Sequence, residues 1–143
     1  MEFKGKPVLC ACSSGKRMDE LVEESRSMSG EREFLLLLDY DRDSAARVLP
    51  AYVNAIVRQR DGIARSKSAR MEMLLLVSGT MNIGRAIREH GAKNPKNFLA
   101  FATSGALFRR FATKNKIEIT KKIRLVMDEG AAGRVALTEI ENS

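Results

Sequence analysis

Tryptophan is missing from the 143 residues, histidine occurs once, cysteine twice, and only 6% of the chain is aromatic. Each scarcity closes a class of function. A structural zinc site needs about four ligands, and Cys10, Cys12 and His90 do not make a Cys/His set. The two cysteines read as small buried hydrophobes, and neither a metal nor a cofactor is expected. Two Tyr and six Phe, with the Phe at positions that read as inward-facing, argue against a platform of aromatics on which RNA bases stack. Long apolar runs are absent as well. The longest, Phe34–Leu38 and Met73–Val77 among them, have five residues, too short to cross a bilayer. The apolar stretch after Lys4 and Lys6 is too short for a signal peptide, so a cytoplasmic protein with no membrane partner is expected. There is no G-x-x-x-x-G-K-[ST] loop, no G-x-G-x-x-G after a strand and no G-x-S-x-G elbow.

What is present is a globular composition, 44% apolar and 30% charged, of a size that fits one domain over residues 1–143. The net charge of +7 is unevenly placed. Residues 1–43 carry seven Lys/Arg against ten Asp/Glu, whereas residues 44–123 carry sixteen against four. A local excess of that size suggests a polyanionic partner.

Apolar periodicity predicts an α/β fold, a mixed sheet of about four to five strands packed with helices. Strands are expected at 7–11, 33–38, 71–77, 98–102, 117–119 and 135–140. Helices are expected at 16–27, from a cap at Asp43 or Ser44 to Asp61, at 80–91 and at 104–114. A further short helix, capped by Thr120, would carry Ile123, Val126 and Met127. Met71–Val77, apolar on both faces, reads as the central strand.

The candidate site lies where that strand would hand over to the next helix through Ser78-Gly79-Thr80. A helix N-terminus flanked by cations attracts anions. Arg65, Lys67 and Arg70 precede the strand, Arg85 and Arg88 lie on the helix, and Lys93 and Lys96 follow it. The Ser78 and Thr80 hydroxyls read as helix caps, since no base stands near them in sequence. His90, in the last turn of its helix, suits the helix dipole.

The stretch Ile63-Ala64-Arg65-Ser66, Met71-Glu72-Met73-Leu74, Ser78-Gly79-Thr80-Met81-Asn82-Ile83, Ala86-Ile87 and Gly91-Ala92-Lys93 resembles the small tRNA-recruiting subunit of the KEOPS complex, the archaeal relatives of the PRPK-binding protein. The family's Arg-Gln pair at the helix start stands here as Met81-Asn82. The resemblance implies a non-enzymatic accessory subunit. It would grip the single-stranded 3′ CCA end of tRNA for threonylcarbamoyladenosine modification and bind the small atypical kinase/ATPase subunit of the complex. On that basis Arg65, Lys67, Arg70, Arg85 and Lys93 are expected to contact phosphates, and Asn82 and Ile83 to meet an unpaired terminal base. Two other functions fit the residues: a protein-interaction module without direct RNA binding, and a small-anion or nucleotide enzyme using the Ser78-Gly79-Thr80 turn.

Overall fold

A computed structural model describes the backbone of residues 6–30, 33–63, 68–130 and 133–139, with side chains followed as far as Leu125. The elements run β1 (Val8–Ser13), α1 (Met18–Ser27), β2 (Leu35–Asp39), α2 (Arg42–Asp61), α3 (Ala69–Ser78), α4 (Ile83–His90), β3 (Phe98–Ala102), α5 (Gly105–Asn115), β4 (Glu118–Gly130) and β5 (Gly133–Glu139). The strands form one sheet in the order β2-β3-β1-β4-β5. The α/β class and the strand number agree with the sequence reading, but the sheet is not mixed: every described pairing is antiparallel.

The reason is the segment 71–77. It is helical, forming most of α3, so the strand-helix-strand crossover that parallel pairing needs is not built there. Met, Glu and Leu are stronger helix formers than strand formers. Ser68 caps the start by accepting from the Met71 N–H at 3.1 Å. Gly79 closes the end in the left-handed region, φ 73°, where a Cβ would be strained. The apolarity of both faces has a different cause from the one expected. A helix covered on all sides is apolar all round, and α3 packs against α2, α4 and β2.

The helix expected from Thr120 is also overturned, because those residues continue β4. Ile117, Ile119, Thr120, Ile123 and Val126 are β-branched, which favours the strand. A register shift hides the alternation. Cys12 pairs with Ile119 and Ala11 with Lys121, so Thr120 is the extra residue of a bulge. Ile119 therefore faces one side of the sheet and Ile123 the other.

Two apolar layers result. On one face Leu9, Leu36, Leu38, Leu99, Phe101 and Ile123 meet Val48, Leu49 and Tyr52 of α2 and Met73 and Val77 of α3. Phe34, Tyr52 and Phe101 form an aromatic cluster there, with ring centroids 5.1 to 6.0 Å apart. On the other face Cys10, Cys12, Leu35, Phe98 and Ala100 meet Leu21 of α1 and Leu107, Phe108 and Phe111 of α5. The cap of α2 is Asp41, which accepts from the Asp43 N–H at 3.1 Å, two or three residues earlier than the expected Asp43 or Ser44. α2 runs through Pro50 as one 20-residue helix.

Cys10 and Cys12 share one face, as their spacing requires, and both are free and buried. Burial pushes both thiols upward, Cys12 to about 12 with Cys10 adding to the effect. In the unfolded chain these thiols ionise near 9.0. The folded state resists that ionisation, so its stabilisation is whole below pH 9.0 and is lost as pH rises towards 12. The urea midpoint is expected to fall over that range. A Cys10→Ser/Cys12→Ser variant should show a shallower alkaline fall. Below pH 9.0 neither thiol should react with a disulfide reagent until the protein unfolds.

Candidate nucleic-acid interface

The Ser78-Gly79-Thr80 turn joins two helices, not a strand and a helix, and this reverses its electrostatics. Gly79 donates its N–H to Leu75 O at 2.9 Å, and the Ser78 hydroxyl donates to the same carbonyl at 3.1 Å. The turn thus holds the carbonyl end of α3, the negative pole of that helix. Arg47 of α2 answers it, donating from Nη1 to Val77 O at 2.9 Å.

The positive pole lies just beyond. Thr80 Oγ1 accepts from the Asn82 N–H at 3.2 Å. Asn82, not Ser78 or Thr80, caps α4: its Oδ1 accepts from the Arg85 N–H at 2.9 Å. The first turn of α4 still has backbone N–H groups without helical partners, as every helix start does. Its eight residues bury only Ala86. Met81, Ile83 and Ile87 stand 72%, 38% and 51% exposed. Ile83 and Ile87, four residues apart, form one stripe.

Beside the stripe is Gly84. A Cβ there would sit 3.3 Å from Asn82 Oδ1 and 3.5 Å from Arg88 Nη1. The Arg88 guanidinium therefore folds back over the first turn. On the far side, Arg85 Nε donates to Glu89 Oε1 at 2.9 Å. That hydrogen bond, foremost, holds the Glu89 carboxyl below its usual range. Lys93 Nζ donates to Glu89 O at 3.5 Å, at the carboxyl end of α4.

The seven expected cations do not meet at one junction. Arg65 and Lys67 lie outside the described residues. Arg70 is in the first turn of α3, and its Nε donates to Leu35 O at 2.7 Å. Burial, and then Arg26, lower its pKa from the ordinary value. α3 has ten residues, so at 1.5 Å per residue Arg70 stands roughly 12 Å along the helix from the last residue of α3, with the turn to α4 beyond it. Its role is to tie α3 to β2. Lys93 and Lys96 lie past the other end of α4.

Asn82, Ile83 and Arg85 are brought together on one turn. Arg88, also expected here, stays with them, and the structure adds Met81, Ile87 and Arg47 to that neighbourhood. Nothing in the sequence pointed to Arg47. His90 sits in the last turn of α4 with Nδ1 3.4 Å from Ser44 Oγ, joining the end of α4 to the start of α2.

Among the described residues, no group of three His, Cys, Asp or Glu side chains could hold a metal ion, and no helix is long and apolar enough to cross a membrane. No protein-family model matches the chain, and no curated protein matches it.

Proposed function

We propose that this protein is a non-catalytic tRNA-binding accessory subunit of the KEOPS type, which holds the unpaired 3′ CCA end of tRNA on the first turn of α4. The observation that carries the reading is the exposed aliphatic stripe of Met81, Ile83 and Ile87 beside an open helix N-terminus and the Arg85 and Arg88 guanidinium groups. An unpaired nucleotide offers a flat apolar base face and a phosphate within a few ångströms of each other. The stripe suits the first and the N-terminal turn suits the second. A duplex, whose bases are stacked away, gains nothing from the stripe.

The resemblance over residues 63–93 supports the same assignment and adds the small kinase/ATPase subunit as a protein partner. Met81-Asn82, in place of the family's Arg-Gln, keeps a helix cap at the second position and trades a cation for an apolar side chain at the first. Phosphate attraction at this turn then rests on Arg85 and Arg88.

A salt titration tests the reading. Binding driven by charge alone weakens alike for every RNA as salt rises, by orders of magnitude up to about 0.2 M. A short single-stranded RNA ending in CCA is expected to stay bound at about 0.2 M salt, where an RNA of equal length with a different end is released. Equal release of both would contradict the assignment.

A further inference from the structure

Beyond the α4 turn, the opposite face of the sheet carries a second unfilled surface. α1 and α5 cover this face over β2, β3 and β1, and the covering stops at β4. The bulge at Thr120 turns Ile119 to this side, opposite Cys12, and Lys122 lies opposite Cys10. A groove of about 440 Å³ opens between α5 and β4. Val8, Phe108, Ala112 and Ile119 contribute its apolar walls, and Arg109 and Lys122 its charged ones. Ile119 is 41% exposed, an aliphatic side chain at the mouth of the groove with no described helix over it.

Charge restricts what can cover it. No carboxylate lines the groove among the described residues. α5 carries Arg109, Arg110 and Lys114 and no acidic residue. Arg109, Arg110, Thr113 and Lys114 line a second hollow of about 420 Å³ on the outer side of the same helix. Glu118 lies at the exposed start of β4, outside the lining, and Glu24 is already ion-paired with Lys114. Cations without facing anions favour a negative ligand. The apolar walls favour one that also brings a large apolar side chain. A nucleic-acid backbone brings the charge but not the anchor.

We propose that the α5–β4 groove docks an acidic protein segment, with a Leu, Phe or Trp side chain seated against Val8, Phe108 and Ile119 and carboxylates paired to Arg109 and Lys122. This surface lies across the sheet from α4, so both sites can be filled at once.

Random dodecapeptides displayed on phage provide the test, selected on the intact chain and counter-screened on Ile119→Asp and Lys122→Glu. Ile119 and Lys122 are exposed, and circular dichroism checks that each variant folds. The enriched peptides are expected to be net acidic with at least one large apolar residue. Their affinity, read by fluorescence anisotropy, is expected to fall at least about tenfold on either variant, about 1.4 kcal/mol. Ile83→Glu should leave that affinity unchanged, which separates this site from the α4 reading. Several outcomes overturn the proposal: no enrichment, neutral or basic winners, equal affinity for the parent and both variants, or parent chains that pair through the groove. Displacement of the peptides by single-stranded polyuridylate that itself loses affinity on Lys122→Glu would assign the groove to RNA instead.

Discussion

Arg58→Met is expected to lower folding stability by about 3 kcal/mol, read as a drop in the urea midpoint with an unchanged slope. The Glu72 side chain is fully buried, 0% exposed, within α3, and its Oε1 accepts from Arg58 Nη1 of α2 at 3.3 Å. A carboxylate taken from water is costly unless a cation and hydrogen bonds offset the loss. Methionine keeps much of the arginine stem and removes only the charge. The loss is therefore chiefly that of one cationic partner of a buried carboxylate. The Arg58 side chain is 33% exposed, so water offsets part of the change and the effect falls at the lower end of the 3–5 kcal/mol that broken buried pairs cost. Glu72→Leu on the same background should restore most of the stability, because an apolar pair of similar volume replaces both charges at once. A double variant no more stable than Arg58→Met would show that the pair does not join α2 to α3.

Ile83→Glu is expected to weaken binding of CCA-ended RNA at least about a hundredfold, about 2.8 kcal/mol, while the melting temperature stays within a few degrees of the parent's. Ile83 is 38% exposed and lies outside the buried layers, so the fold does not depend on it. The first helical turn accepts a carboxylate readily, since the dipole there favours negative charge. The same carboxylate repels a phosphate and removes the apolar edge that a base would meet. Arg88→Ala should act in the same direction with a smaller loss and a shallower salt dependence, because it deletes one cation and leaves the stripe whole.

The fold was legible wherever one period dominated. β1, β2, β3, α1, α2 and α5 lie within a few residues of their expected places because their apolar spacing is clean and their ends carry Asp, Ser or Gly. It was illegible where burial or a bulge erased the period. Apart from Glu72, Met71–Val77 is apolar because helices and sheet surround it, and the five-residue run Met73–Val77 carries no phase to separate helix from strand. The arithmetic of helix propensity favoured α3 all along. In β4 the extra residue at Thr120 broke the alternation after Ile119, and Ile123, Val126 and Met127 beyond it matched a helical spacing.

The candidate site inherited both effects. Once 71–77 is a helix, Arg70 moves to the far end of α3 and takes a backbone carbonyl as partner. What survives is the part written into α4 itself, Asn82, Ile83 and Arg85, because neighbours within one helical turn stay together whatever the tertiary fold. Arg47 is placed by packing between elements and the folded-back Arg88 by its side-chain rotamer, which spacing alone does not reveal.

The central claim is that the first turn of α4 holds the unpaired end of a tRNA, and the most direct measurement compares intact tRNA with the same tRNA lacking its terminal CCA. Filter binding at about 0.2 M salt suppresses the general charge attraction that both share. Under these conditions intact tRNA is expected to bind at least about tenfold more tightly, and the difference should vanish on Ile83→Glu. Equal affinity of the two tRNAs for the parent protein would contradict the account.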